Sequence, residues 1–336
     1  MQTDVSIIVP AKNNQEKLNI CLDSIYNSKK KFTFEIIVVD DTSLEPIRVD
    51  EKNTKVVINK NKPGPSGARN YGSQIALGKY LFFIDSDVEL ENETLVKLYD
   101  SITTSGVDAV FGMYSIKYPY KFKNFLGEYK NLYWHFKLTT LSKNTYLIHT
   151  NIFAINKDLF KNLNGFNEKI KIGEDLNFGQ KLYKNKKYVL LNKKVFFIHH
   201  KLFNNFIEFF KYSFINSFYG MFLLSSNKME KNIPYFEILK LFLSYVSSSI
   251  TAILFIFLLF CFSYSILLFA ILGISIFYLI NKRLFYLFYY ENGLAFSFKS
   301  SIVYFIENLI SQIAISLAFL YKLTLNVFGK KNEFEG

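Results

Sequence analysis

Cysteine is nearly absent from this chain. Two occur in 336 residues, Cys21 within a helical pattern and Cys261 within an apolar run, which excludes a disulfide framework and a cysteine-based metal site. A block of basic residues is also missing, although 40 Lys and Arg against 28 Asp and Glu give a formal charge of +12. The lysines are scattered, often beside aromatics, so no nucleic-acid partner is expected. Neither a Walker loop nor G-x-G-x-x-G occurs, which disfavours a kinase or a dinucleotide enzyme. Internal repeats and low-complexity linkers are lacking. One stretch lacks charge entirely: positions 241 to 281 hold no Asp, Glu, Lys or Arg.

Aromatic residues are in excess, with 37 Phe and 23 Tyr, most of them after residue 110. A basic, aromatic chain with a long uncharged run suits a protein that faces anionic lipid from the cytoplasm. The apolar segment at 5–9 reads as a strand rather than a signal peptide, so the catalytic part is expected on the cytoplasmic side of the cell membrane.

Residues 1 to about 115 alternate strand and helix. Strands are predicted at 5–9, 35–39, 55–58, 80–84 and 109–115. A helix with Leu18, Leu22 and Ile25 on one face follows the first strand, and others fit 68–77 and 91–102. Such alternation implies an α/β fold with a mostly parallel sheet. Phe122, Phe125, Leu126, Tyr129, Leu132, Tyr133 and Phe136 then recur at helical spacing, facing either a core or a membrane. Phe203, Phe206, Ile207, Phe210, Phe214 and Phe218 repeat the pattern beside Lys201 and Lys211, and this second face is expected at a membrane interface.

The uncharged run would be about 60 Å long as one helix, twice the ~30 Å of a hydrocarbon core. A hairpin turning near Ser263-Tyr264-Ser265 fits better. Lys228, Lys231 and Lys240 precede it, and Lys282, Arg283 and Lys299 follow, which puts both its ends in the cytoplasm. A third apolar segment at 302–321 contains Glu307, Asn308 and Gln312. It is either an interfacial helix or a third span, and a third crossing would export Lys322, Lys330 and Lys331. The chain thus divides into a catalytic domain at 1–200, amphipathic interface helices at 201–236 and membrane-associated helices at 237–336.

Six segments carry chemistry. Tyr80-Leu81-Phe82-Phe83-Ile84 is a buried strand that ends in Asp85-Ser86-Asp87. Two carboxylates at the carboxyl end of such a strand lie where open α/β sheets bind ligands, and they can hold a divalent metal that neutralises a diphosphate. They also suit a simple turn with a helix cap. Val9-Pro10-Ala11-Lys12-Asn13 and Val38-Val39-Asp40-Asp41-Thr42-Ser43 end two more strands. A carboxylate in the second could accept the ring N–H of uracil or guanine, or serve an Asx turn. The loop Asn61-Lys62-Pro63-Gly64-Pro65-Ser66-Gly67-Ala68-Arg69-Asn70 opens a helix with small residues that admit a ligand, and Arg69 can reach a diphosphate. Gly173-Glu174-Asp175 starts another helix. The strand at 195–198 ends in His199-His200, which point to opposite faces, so at most one of them reaches a metal in the site.

The order of these segments, with Gly165-Phe166-Asn167-Glu168 before Gly173-Glu174-Asp175, resembles the family 2 glycosyltransferases over about residues 4 to 200. The resemblance implies a GT-A fold: a Rossmann-like mixed sheet with helices on both faces, here followed by an α-helical membrane region. It also implies inverting transfer of a sugar from a nucleotide diphosphate, assisted by Mg²⁺ or Mn²⁺, with a UDP-sugar the favoured donor. By that likeness Asp41 and the backbone near Pro10 hold the base, with Lys12 where an aromatic residue is common. Gly67, Arg69 and Ser86 lie at the nucleotide, Asp85 contacts ribose or metal, and Asp87 binds metal, with His199 or His200 as a further ligand. Asp175 is the general base and Glu174 the second choice.

A membrane tail suits a lipid-linked glycan or glycolipid acceptor, and membrane lipids are expected partners. A polyprenyl-phosphate sugar synthase and a processive polymerase are alternatives of the same class. A non-catalytic membrane protein with a degenerate nucleotide fold is the alternative from another class. The four carboxylates Asp85, Asp87, Glu174 and Asp175 argue against it.

Overall fold

The computed structural model describes residues 3–50, 53–104, 106–117, 124–226, 235–261 and 263–327. Phe122, Lys228, Lys231, Lys330 and Lys331 lie outside the described residues. In chain order the elements are β1 (Val5–Ala11), α1 (Gln15–Asn27), β2 (Phe34–Asp40), β3 (Thr54–Ile58), α2 (Pro65–Ile75), β4 (Tyr80–Ile84), β5 (Val88–Leu90) and α3 (Thr94–Thr103). They continue with β6 (Ala109–Tyr114), α4 (Phe125–Thr140), β7 (Ile152–Asn156), α5 (Lys157–Asn162), α6 (Glu174–Lys184), β8 (Val189–His199), α7 (Phe206–Ser226), α8 (Tyr235–Phe260) and α9 (Tyr264–Val327).

Among the described residues the eight strands form one sheet in the order β3-β2-β1-β4-β7-β6-β8-β5. β3, β2, β1 and β4 run parallel. Their interior residues, such as Ile7, Ile8, Val9, Val38, Leu81, Phe82 and Phe83, are fully buried on both faces, as a sheet flanked by helices requires. β7 enters antiparallel between β4 and β6, and β8 returns parallel to β6. The sheet is therefore mixed rather than mostly parallel. β5 and β7 were not legible in advance: β5 is only three residues long, and β7 has no flanking turn signature.

A second apolar cluster lies where α4, α7 and α9 meet. It includes Leu126, Tyr129, Leu132, Phe203, Phe209, Phe285, Phe288 and Tyr304. The aromatic stripe of α4 thus faces a core. In the 203–218 segment the inward positions are Phe203 and Phe209, while Phe206 and Ile207 stay exposed.

α9 is broken at Gly293, whose φ of 79° lies in the left-handed region where a side chain is strained. Its two arms fold back on each other: Phe288 meets Phe296, Phe277 meets Phe305, and Ser297 Oγ donates to the Phe285 carbonyl at 2.9 Å. The first arm is antiparallel to α8, with Asn281 donating to Ser244 at 2.9 Å. The second arm runs beside α8 in the same direction, because Asn308 reaches Ser244 and Gln312 reaches Ser248 at a constant offset. Glu307, Asn308 and Ser311 are buried. The polar residues of the third apolar segment therefore face the bundle interior.

By length and composition α8 and α9 are long and apolar enough to cross a membrane. Their outward side chains, among them Leu259, Phe260, Leu268 and Leu272, are exposed and apolar.

Candidate active site

Parallel pairing puts the carboxyl ends of β1, β2, β3 and β4 on one edge of the sheet. β6 and β8 share this polarity, and antiparallel β7 begins there. The edge therefore collects Lys12, Asp41, Asn59, Asp85, Tyr114, Asn151 and His199 from seven strands. The acidic pair at the start of α6 comes to the same place through Arg69.

Arg69, buried on α2, joins the two acidic motifs. One guanidinium nitrogen donates to Asp85 Oδ1 at 2.6 Å and another to Glu174 Oε1 at 2.9 Å. Its plane lies 5.6 Å from the ring centre of Phe166, in the Gly165-Phe166-Asn167-Glu168 segment. Asn70 holds that segment by accepting from the Phe166 amide and donating to Glu168.

The other oxygen of Asp85 accepts from Asn151 Nδ2 at 3.2 Å, and Asn151 Oδ1 accepts from the Tyr114 hydroxyl at 3.0 Å. Asn151 and Tyr114 were missed in the sequence. The strand that ends at Tyr114 was predicted, so its edge position was legible, but the partner of its hydroxyl was not. Asn151 precedes the unforeseen β7 and carries no motif.

Ladder register explains the histidines. β5 pairs with β8 so that Val88 lies opposite His199, and the His200 amide donates to the Asp87 carbonyl at 2.8 Å. His199 Nε2 then lies 3.3 Å from Asp87 Oδ1, while His200 Nε2 lies 3.0 Å from Glu89 Oε2. Their opposite faces give them different acids, and only His199 joins the cluster. Trp134 and His149 pack edge-to-face at 4.9 Å beside Tyr114. Burial, with His199 adding to it, pushes the His149 imidazole down to about 4, so it is neutral.

Burial raises Asp85, Arg69 opposes this, and the nearby charge of Asp87 raises it further, with a net upward shift. Burial also pushes Asp87 up, but His199, Lys201 and Lys17 outweigh it and hold the carboxylate well below its usual range. Burial and Asp175 raise Glu174 against the pull of Arg69. Asp175 is pushed up to about 6, chiefly by burial, although its Oδ1 accepts from the Leu176 amide at 2.8 Å. A carboxylate that titrates there is suited to accept a proton near neutral pH.

The remaining predicted residues lie at the ends of β1, β2 and β4 and in the Gly/Pro loop. Asp41 is buried and organises the Gly/Pro loop: it accepts from the Gly64 amide at 2.9 and 3.0 Å and from Asn59 Nδ2 at 2.7 Å. Lys12, half-exposed, pairs with Asp41 at 3.4 Å. Ser86 is buried and accepts from Asn14 at 3.4 Å. Pro10 sits in β1, one residue before its end. Gly67 permits a close approach within the protein itself, since a Cβ there would lie 1.8 Å from the Lys62 carbonyl oxygen.

Asp85, Asp87 and His199 supply hard oxygen donors and one imidazole, a set suited to Mn²⁺ or Mg²⁺. Burial first, and then the nearby charge of Asp87, raise Asp85, and a cation would oppose both. Among the described residues no group of three or more His, Cys, Asp or Glu is placed to hold a metal ion by itself. The residues fit a cation shared with substrate phosphates, the usual mode for Mg²⁺.

The Glycosyl transferase family 2 profile matches residues 6–163. Over 121 residues the chain is 34% identical to the poly(ribitol-phosphate) β-N-acetylglucosaminyltransferase TarP of Staphylococcus aureus (strain N315), covering 34% of this chain and 37% of that protein. Over 116 residues it is 35% identical to the GalNAc(5)-diNAcBac-PP-undecaprenol β-1,3-glucosyltransferase of Campylobacter jejuni, covering 32% of this chain and 37% of that protein. The chain thus spans less than two fifths of the length of these two relatives. The mannosyltransferase PcManGT from Pyrobaculum calidifontis, solved in complex with GDP-Man and Mn²⁺, superposes with a TM-score of 0.54. That alignment covers 96% of this chain and 88% of the other at 14% identity, and it shows a shared fold. The mixed sheet with flanking helices is the GT-A fold, and residues 6–163 form a family 2 glycosyltransferase domain.

Proposed function

We propose that the protein transfers a sugar, with inversion, from a nucleotide-diphosphate donor to a hydroxyl of a membrane-associated acceptor, a lipid-linked glycan or glycolipid. The observation that carries this reading is the convergence of Asp85 and Glu174 on Arg69, with Asp175 beside them pushed up to about 6. The acceptor oxygen attacks the anomeric carbon as the bond to the diphosphate oxygen breaks. Asp175 takes the hydroxyl proton, and the diphosphate leaves with the bonding electron pair. General-base assistance of this kind is worth ~10²–10⁴ in rate. Asp85, Asp87 and His199 would hold a divalent cation, Mg²⁺ or Mn²⁺, which offsets charge on the leaving diphosphate when bound. Arg69 adds fixed positive charge and keeps Glu174 from acting as a free base. Asp41, the Pro10 backbone, Lys12, Gly67 and Ser86 are assigned to the nucleotide, a UDP-sugar being favoured.

The membrane side of the reading rests on α8 and the two arms of α9. The second arm runs parallel to α8, so a bilayer crossed by α8 is crossed three times, with the catalytic domain in the cytoplasm and residue 327 opposite. The interface segment is then residues 201–236. Buried partners on α8 for Asn308 and Gln312 support this crossing, because polar groups in a span must be satisfied within the protein.

The test is incubation of the full chain in detergent with a panel of nucleotide sugars and a membrane lipid extract, read by mass spectrometry. A lipid product one sugar heavier is expected. Absence of both transfer and donor hydrolysis across the panel refutes the reading and favours a non-catalytic membrane protein.

A further inference from the structure

The antiparallel strand β7 delivers a side chain that a parallel neighbour would carry away from the site. Parallel strands bring their last residues to the carboxyl edge of the sheet, whereas β7 brings its first. Ile84 of β4 lies opposite Ile152 of β7, and one step further the Asp85 amide donates to the Asn151 carbonyl at 3.1 Å. Asn151 therefore stands opposite Asp85, and opposed residues of an antiparallel pair share a face. Their side chains meet, with Asn151 Nδ2 donating to Asp85 Oδ2 at 3.2 Å.

Hydrogen-bond chemistry fixes the direction of the next link. An ionised carboxylate only accepts, so the Asn151 amide turns its NH₂ toward Asp85. Its carbonyl oxygen then faces the Tyr114 hydroxyl at 3.0 Å, and the phenol must donate. Tyr114 is itself held in place. It is 5% exposed, and its ring centre lies 4.7 Å from that of Phe197 on β8 and 5.7 Å from that of His199. His135 of α4 holds its backbone, with a ring nitrogen 2.6 Å from the Tyr114 carbonyl oxygen. Without the hydroxyl, the Asn151 amide could turn away from the carboxylate.

Asp85 thus receives one donor on each oxygen, from two different elements. Arg69 of α2 reaches Oδ1 at 2.6 Å, and Asn151 at the head of β7 reaches Oδ2. Two donors set the plane of the carboxylate, where a single one would leave it free to swing. Each oxygen keeps a further lone pair. We propose that Asn151, held by Tyr114, is a positioning residue that orients Asp85 toward a divalent cation bound with the nucleotide diphosphate. The assignment rests on the transferase reading above, which gives Asp85 to the cation, and deepens it by naming what orients that ligand. Loss of an outer partner of this kind typically costs roughly 10–100-fold in metal affinity.

The full chain in detergent is titrated with Mn²⁺ in the presence of UDP and, separately, of GDP, and free Mn²⁺ is read from its electron paramagnetic resonance signal. Asn151→Leu, similar in volume but without a donor, should weaken Mn²⁺ binding about tenfold or more. Tyr114→Phe, which removes one hydroxyl, should weaken it about threefold. Both should leave the affinity for metal-free nucleotide unchanged. Because Tyr114 acts through Asn151, the double variant should bind Mn²⁺ no more weakly than Asn151→Leu does. A packing role for Tyr114 would make the two effects add. Additive effects, or wild-type Mn²⁺ affinity in Asn151→Leu, overturn the proposal, as does a wild type that binds nucleotide but no Mn²⁺. A wild type that binds neither overturns it together with the transferase reading. Loss of Mn²⁺ affinity in Asn151→Leu, in a protein whose wild type transfers no sugar, supports the proposal and counts against the transferase reading alone.

Discussion

Lys130 of the catalytic domain and Glu307 of the C-terminal bundle form a buried ion pair, although 177 positions separate them in the chain. Tyr129 donates to the other oxygen of Glu307 at 2.6 Å, and Ser213 of α7 donates to the first at 2.8 Å. One carboxylate thus ties together α4, α7 and α9. The same α4 holds the end of β6 through Asn131, which donates to the Ser115 carbonyl, and His135, whose ring nitrogen contacts the Tyr114 carbonyl.

Removing one member of this pair leaves the other buried and unpaired. Glu307→Leu and Lys130→Met should each destabilise by about 3–5 kcal/mol, and the double variant Lys130→Met/Glu307→Leu by clearly less than the sum. Denaturation midpoints of the full chain in micelles give the cycle. Strict additivity would show that the pair has no coupling.

Asp175→Asn should reduce transfer by ~10²–10⁴ without weakening donor binding. In the wild type, transfer should fall on the acid side with a midpoint near pH 6, where Asp175 takes up its proton. Stability has the opposite sign there. The folded protein holds a proton near pH 6 that the unfolded chain releases near 3.8, so this group adds stability as pH falls between those values. A pH–rate profile in Asp175→Asn that keeps the same acid limb would remove the base assignment.

Asp87→Ala should abolish Mn²⁺-dependent binding of a nucleotide sugar, measured by calorimetry with and without the metal. His199→Ala should weaken it partially. Equal donor affinity in Asp87→Ala with Mn²⁺ present would separate the Asp85-Ser86-Asp87 motif from metal binding.

Arg69→Lys should destabilise by several kcal/mol, because one ammonium cannot serve two carboxylates through separate nitrogens as the guanidinium does. Chemical denaturation tests this. A stability within experimental error of the wild type would mean that neither Asp85 nor Glu174 depends on the arginine.

Gly67→Ala should disorder the loop that Asp41 holds, since its Cβ would meet the Lys62 carbonyl oxygen at 1.8 Å and backbone cannot yield cheaply. A higher KM for the donor and faster proteolysis between residues 60 and 68 are the expected readouts. Wild-type kinetics would show that the loop can reorganise.

Much of the sheet and the acidic motifs were readable in the order of residues. The run from Tyr80 to Ile84 had to be a strand buried on both faces, and a carboxylate pair that follows it had to emerge at its carboxyl end. Helix periodicity placed Leu18, Leu22 and Ile25 inward, and all three are buried. Adjacent histidines on a strand had to diverge, and they do. Short elements with no local signature, β5 and β7, were hidden, and with them went Asn151.

By itself the sequence determined where apolar runs stop and charge begins, because alternation, helical spacing and charge depletion are local properties that need no partner. Only the tertiary structure decided that Arg69 bridges Asp85 to Glu174, that His199 rather than His200 meets Asp87, and that Glu307 faces Lys130 rather than lipid. Each of these joins groups brought together by strand order, ladder register or helix docking. Buried charges are tolerated only where such long-range packing supplies the partner.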